Sequence, residues 1–389
     1  MPALALHDVA PGPATLADLR HKVHATAAKR PGIYEFLDAT GGVIYVGKAK
    51  DVRTRLLSYF TAPWPASKSA RLIRCAADLR WRHVPSEFAA LLEEQRLISS
   101  LRPPYNVSMN RYRATLAFIK VTRGPVPRIV VSETARDPAA LYYGPFRGRG
   151  PTADAVRTLA DLLGLRDCAD RQTMTFADQA SLFDAPLAPA CIRHELSTCL
   201  GPCAARVSAD RYGAAVGDAR AFLEGRSARP LDRLLDIMAG AAEAREFERA
   251  AAWRGRFDEL TWLFGALARL RAAIEGLSFV YQVPDQTGNG EDRLYAIRHG
   301  VVRAIATPPR TPIEREAFAE TARLLSLDEG PAPAAHNGSE MAQLLLVMSW
   351  FRRNPEEYEQ TSPFRRWTDG SSASGLRRAA IRGSSPSKP

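Results

Sequence analysis

The chain has 389 residues, enough for two or three domains with cores of their own. Its formal charge of +11 and pI of about 9.7 favour an anionic partner, nucleic acid first, over the alternative of plain compositional bias toward arginine. No apolar run reaches the ~20 residues of a membrane span. The stretch Met1 to Ala14 lacks the basic start and apolar core of a signal peptide, so a cytoplasmic protein is expected.

In chain order, residues 1–28 read as a leader with a short helix at Leu16 to Thr26, whose His21 and His24 suit a solvated face. Pro31 to Phe36 and Val43 to Lys48 are short runs rich in β-branched and aromatic residues, joined by a turn ending in Gly41-Gly42; that is a β-hairpin. Asp51 can cap a helix over Val52 to Phe60, in which Arg55 and Tyr59 share a face. A helix at Ser67 to Ala77 and a strand near Leu79 to Val84 follow, with Cys75 expected as a buried small side chain. Glu87 to Leu101 is helical, with an apolar stripe of Phe88, Leu91, Leu92 and Ile98. Glu94 lies on the flank of that stripe and Glu93 points away. A carboxylate beside a buried face needs a partner, so Glu94 is a candidate metal ligand or one half of a salt bridge. Tyr105-Asn106 should leave the helix after Pro103-Pro104.

Further on, Ala117 to Val121, Arg128 to Ser132 and Leu141 to Arg147 read as strands, and Ala153 to Leu163 as a helix. Thr173 to Pro189 looks like a surface insertion, and Ser208 can cap a helix to Leu223. Leu231 to Ala244 and Phe247 to Leu263 form an αα-hairpin. Leu277 to Thr307 holds three strands, Ile313 to Leu325 and Glu340 to Arg353 two helices, and the basic tail has little to bury.

Two constellations carry chemistry. Tyr34, Tyr45, Lys48, Arg55, Tyr59, Glu94 and Asn106 supply what phosphodiester hydrolysis requires: a base for water, a planar cation for phosphate oxygens, and one carboxylate for a hydrated Mg²⁺. A phenol has a reference pKa of ~10, so it needs a nearby cation to act as base, and Lys48, three residues after Tyr45, is the expected one. The second set is Cys168, Cys191, Cys199 and Cys203. It has no C-x-x-C pair, and four thiolates suit zinc or an iron–sulfur cluster equally by spacing.

Gly32-Ile33-Tyr34 and Tyr45-Val46-Gly47 resemble the two motifs of GIY-YIG nucleases, and all seven residues of the first set match that family in order. The resemblance implies an endonuclease with Glu94 as its single Mg²⁺ or Mn²⁺ ligand, and leaves open whether Tyr34 or Tyr45 activates water, with Tyr45 preferred for Lys48. Tyr143-Gly144-Pro145-Phe146 and Cys199-Leu200-Gly201-Pro202-Cys203 look like the region after the nuclease domain in the UvrC family. That implies a 4Fe–4S cluster on the four cysteines, with His194 as a stand-in should Cys168 not serve. Met238, Ala241, Ala242, Phe247, Ala250, Ala251, Trp253 and Arg254 resemble the UVR motif through which UvrC docks on UvrB, with Phe247 and Arg254 as contact residues. Gly255 replaces the acidic residue usual there.

The resemblance covers residues 29 to 263. No Asp-Gly-Gly context or hairpin repeats follow, so the architecture looks closer to the short Cho-like homologues, which lack the RNase H-like and helix-hairpin-helix parts. The expectation is an α+β protein of several domains: leader 1–28, GIY-YIG domain 29–110, β linker and Cys-cluster region 111–228, UVR-like hairpin 229–265, α+β region 266–360 and disordered basic tail 361–389. Its expected function is to nick one DNA strand 3′ to a lesion in nucleotide excision repair. The rivals are a structure-specific nuclease independent of UvrB and a non-catalytic UvrB-binding adaptor.

Overall fold

The computed structural model describes residues 13–109, 116–179, 191–327 and 335–368; most of the expected tail and insertion therefore lies outside the described residues. Helix α1 (Pro13–Thr26) precedes strands β1 (Gly32–Leu37) and β2 (Val43–Ala49). Their turn is fixed by Asp38, whose carboxylate accepts from the Thr40 and Gly42 N–H groups, each at 2.9 Å. Helices α2 (Val52–Phe60) and α3 (Lys68–Cys75) follow, capped by Asp51 and Ser67. Strand β3 (Asp78–His83) returns to pair with β1, giving an antiparallel sheet in the order β2-β1-β3. Helices α4 (Glu87–Leu101) and α5 (Pro104–Met109) complete the segment. The expectation that Tyr105 and Asn106 leave helical structure is corrected. Arg102 closes α4 with a φ of 48°, and proline is well placed to open the short helix after it.

Alternation along the strands assigns the two faces of this sheet. Tyr34, Phe36 and Tyr45 point into a core with Leu56 and Tyr59 of α2 and Ile73 of α3. Leu19 and Val23 of α1 sit in that same core, each worth roughly 2 kcal/mol of burial, so the leader helix is built into the domain. On the other face Ile33 and Val46 meet Ala90 and Leu97 of α4. The stripe expected on α4 is thereby corrected: Leu91 and Leu92 are only half-buried, and the deeply buried positions are Phe88, Ala90 and Leu97.

The middle of the chain forms a second sheet in the order β5-β4-β6, from β4 (Leu116–Val121), β5 (Ile129–Ser132) and β6 (Leu141–Arg147). Helix α6 (Arg149–Leu163) covers it, and α7 (Ile192–Glu195), α8 (Ala209–Leu223), α9 (Arg229–Glu243) and α10 (Phe247–Glu275) follow. The last runs 29 residues, well past the expected stop at Leu263, because Leu267 and Ile274 continue its buried stripe. Leu159, Phe222, Leu234, Leu260 and Leu263 join these elements in one core.

The C-terminal region adds strands β7 (Phe279–Val283), β8 (Arg293–Arg298) and β9 (Val301–Ala306), helices α11 (Pro312–Leu327) and α12 (Gly338–Arg353), a 3₁₀ turn at Pro355–Gln360, strand β10 (Thr361–Ser362) and helix α13 (Arg365–Thr368). Its sheet has the order β10-β7-β8-β9. Chain contacts define two compact units: the first joins residues before 113 to 277–329 and 343 onward, and the second holds 113–276 with 330–342.

Candidate active site

Three phenols converge on the α2 side of the first sheet. Tyr34 on β1 is paired across the hairpin with Gly47 on β2. A Cβ at Gly47 would lie 2.4 Å from Cζ of Tyr34, so only glycine lets that ring lie flat across the strand. The Tyr34 and Tyr59 hydroxyls are 2.9 Å apart. Arg55, one helical turn before Tyr59, donates from Nε to the Tyr34 hydroxyl at 3.3 Å and from Nη2 to the Tyr59 hydroxyl at 3.4 Å. Its guanidinium carbon also lies 4.9 Å from the centre of the Tyr59 ring. The Tyr34 and Tyr45 rings are 6.2 Å apart between centres.

Burial dominates the ionisation of all three. It pushes Tyr34 up to about 12, reinforced by Tyr45 and opposed by the Tyr59 hydrogen bond and Arg55. Burial likewise raises Tyr59, with Tyr34 adding to the effect. Tyr45 is raised first by burial, then by Tyr59 and by the negative charge of Glu94, with Arg55 again acting the other way. Glu94 is therefore within electrostatic reach of the Tyr45 phenol. Tyr45 is also the most accessible of the three, 9% exposed against 1% and 2% for Tyr34 and Tyr59.

The neighbouring carboxylate is differently committed. Glu93 is bound by Arg82 and by Arg96, the latter at 2.8 Å, and the Arg96 hydrogen bond holds its carboxyl below the usual range. Among the described residues no group of three or more acidic, histidine or cysteine side chains is assembled around an ion position. A cation at Glu94 would thus be held by one carboxylate, water and substrate oxygens, a donor set that suits Mg²⁺, which keeps several waters.

Two residues have jobs the sequence reading missed. Lys48 does not serve Tyr45. An odd spacing of three along a strand puts the two on opposite faces, and Lys48 Nζ instead lies 3.2 Å from Glu87 Oε1. Lys50 meets the other oxygen of Glu87 at 3.0 Å. The cation that reaches the phenols is Arg55. Asn106 holds the edge of β2: its Oδ1 accepts from the Val46 N–H and its Nδ2 donates to the Val46 carbonyl, both at 2.8 Å. Parity along β2 could have revealed the first; the second is a long-range contact with no local signal.

The four cysteines fall on neighbouring loops of the second unit. Gly164 ends α6 with a φ of 71° and brings its carbonyl to the Leu200 N–H at 2.8 Å. Buried Arg166 spans the Cys168 loop, donating to the Cys168 carbonyl at 3.2 Å and lying 3.7 Å from its sulfur. The Gly201 N–H points at Cys199 Sγ at 3.5 Å. The thiols sense one another: beyond burial, Cys191 raises Cys199, and both Cys168 and Cys191 raise Cys203. They do not form a closed ligand set. His194 Nδ1 is 3.0 Å from the Cys199 carbonyl, which leaves Nε2 as its other ring nitrogen. In the α9–α10 hairpin Ala241 is buried, whereas Phe247 is 69% exposed and Arg254 exposed.

Comparison with known proteins follows this geometry. Residues 30–107 match the model of the UvrC-like GIY-YIG domain, and residues 116–222 that of the UvrC/Cho excinuclease middle domain. UvrABC system protein C of Alcanivorax borkumensis is 34% identical over 277 residues, covering 70% of this chain and 41% of that protein. The protein of the same name from Sphingopyxis alaskensis is 37% identical over 240 residues, 61% of this chain and 35% of its own. The chain thus spans about two fifths of the length of these relatives. Among solved structures, the GIY-YIG N-terminal endonuclease domain of UvrC from Thermotoga maritima, bound to magnesium as its catalytic divalent cation, is 37% identical; the match covers 23% of this chain and 96% of that one, with a TM-score of 0.21. No described helix is long and apolar enough to cross a membrane.

Proposed function

We propose that this chain, which carries a UvrC-like GIY-YIG domain joined to a UvrC/Cho middle domain, is a cytoplasmic DNA-repair endonuclease that nicks one strand 3′ to a lesion. The observation that carries the reading is the hydrogen-bonded Tyr34–Arg55–Tyr59 group on the sheet face that also bears Tyr45, with Glu94 within electrostatic reach of that phenol. Glu94 would hold Mg²⁺ or Mn²⁺, which supplies Lewis-acid stabilisation of a phosphate oxygen when bound. Arg55 presents a fixed cation to the charge that builds on the phosphorane. Tyr45, the least deeply buried of the three phenols, takes the proton of the attacking water as its phenolate. Tyr34 and Tyr59 hold the Arg55 fork in place, Lys48 with Glu87 ties β2 to α4, and Asn106 fixes the strand that bears Tyr45.

The raised phenol sets the pH dependence. Tyr45 is neutral at pH 7, so its active phenolate fraction grows about tenfold for each unit of pH below its pKa. Single-turnover nicking should therefore climb through pH 6 to 9 without a plateau, and Tyr45→Phe should flatten the climb. A level profile in the unmodified protein would remove Tyr45 as base.

The exposed Phe247 and Arg254 of the α9–α10 hairpin support docking on UvrB. The shared neighbourhood of Cys168, Cys191, Cys199 and Cys203, with N–H groups aimed at two of the sulfurs, supports a 4Fe–4S cluster there. Anaerobically purified protein should be brown, with about four irons per chain; a colourless zinc-loaded protein would reverse the assignment. The deciding experiment for the whole reading is Mg²⁺-dependent nicking of lesion-bearing duplex, with and without UvrB. Nicking 3′ to the lesion that UvrB enhances is the expected result. Equal cutting of undamaged branched DNA without UvrB would replace it by the structure-specific nuclease.

A further inference from the structure

The C-terminal region meets the nuclease segment at the start of α4. The backbone N–H of Gln286 donates to the Pro85 carbonyl at 2.8 Å, and the Gln286 side-chain oxygen accepts from the Glu87 N–H at 3.2 Å. The Tyr295 phenol, raised by burial, is lowered by the neighbouring buried Ser86 hydroxyl, itself the cap that accepts from the Ala89 N–H at 3.1 Å. The first orphan donors of α4 are thus met partly by residues some two hundred positions away. Phe88 then enters an aromatic box: its ring centre is 5.1 Å from Tyr281, 4.9 Å from Tyr295 and 5.3 Å from Trp350. The box is itself braced, Trp350 Nε1 donating to the Tyr281 hydroxyl at 3.2 Å and that hydroxyl to Glu357 at 2.7 Å. The loop bearing Gln286 is fixed by Asp285, which accepts from the Thr287 N–H at 2.9 Å.

What this holds in place follows from helix and strand repeats. Glu87 and Glu94 are seven apart on α4, one face of the helix and about 10 Å of rise. Glu87 pairs with Lys48 and Lys50, and Ala90 and Leu97 further along the helix pack on Ile33 and Val46. The helix is thus seated on the sheet face opposite the phenols, and a slide of either end moves Glu94. We propose that Gln286, Tyr295 and the Phe88 box are positioning elements that set Glu94 against Tyr45, so that residues 277–306 with Trp350 complete the nuclease unit. This rests on the nuclease reading of Glu94.

The test uses the full chain with Gln286→Ala and Tyr295→Phe combined. Gln286 is exposed, and Tyr295→Phe keeps the ring in the box. The expected result is a rise of about five-fold in the Mn²⁺ concentration giving half-maximal nicking, the scale of one lost helix cap, with DNA affinity changed less than two-fold. Amides of Phe88 to Leu92 should exchange faster. Trp350→Ala should do the same more strongly, and Trp350→Phe should restore most of it. An unchanged half-saturating Mn²⁺ concentration despite faster exchange would reduce the region to a stabilising role and overturn the proposal, as would unchanged exchange. Should the unmodified chain nick nothing, the nuclease reading falls, and the exchange of α4 still judges the clasp by itself.

Discussion

Replacing Glu94 by glutamine should lower the nicking rate by about a thousandfold, roughly 4 kcal/mol of transition-state stabilisation, while duplex binding changes less than two-fold. The side chain keeps its volume and loses only its charge, so α4 should remain folded. Direction matters here. The Glu94 charge raises the Tyr45 phenol, and its removal makes that phenol easier to ionise. A fall in rate therefore cannot come from a scarcer phenolate and is assigned to the lost cation site. Glu93→Gln is the internal control. That carboxylate is already occupied by Arg82 and Arg96, so its loss should leave nicking within about two-fold. Equal effects from both substitutions, or full activity in Glu94→Gln, would end the assignment.

Arg55→Ala should cost a factor of about 10²–10³ at saturating DNA, as expected for removing one preorganised donor from a site of developing negative charge. Arg55→Lys should recover little. A single ammonium cannot reproduce the planar fork that reaches the Tyr34 and Tyr59 hydroxyls from two nitrogens at once. Arg55 also lowers all three phenols, so its loss moves the Tyr45 phenol further up. The alanine variant should therefore run below the parent and parallel to it through pH 6 to 9, both profiles still climbing about tenfold per unit. A plateau in the alanine variant within that range, measured in single turnover, would show a phenol lowered rather than raised and overturn this role of Arg55.

Where the physics is local, the chain announced its structure. The hairpin followed from alternation and its glycine turn, α2 from the Asp51 cap, and α4 from its helical repeat and the prolines beyond Leu101. Failures came where the deciding partner is distant in sequence. Lys48 was given to Tyr45, although strand parity already forbade it, because Glu87 could not be seen as its counter-charge. Phe88 was read as part of one stripe, whereas it enters a box built by Tyr281, Tyr295 and Trp350. Helix α10 is expected to end at Leu263, whereas Leu267 and Ile274 carry its buried stripe on to Glu275. The place of the leader helix is set by a core assembled from α2 and β1, distant in sequence, which receives Leu19 and Val23.

The carboxamide of Asn106 has an effect beyond the nuclease reaction. Strand β2 is the outer strand of its sheet, and the Val46 peptide faces outward with one donor and one acceptor. Left open, such an edge invites a strand from another molecule. Asn106 takes both groups as a neighbouring peptide would, so the chain blocks intermolecular sheet growth at this edge. Asn106→Ala should therefore leave a protein more prone to self-association during concentration than the parent.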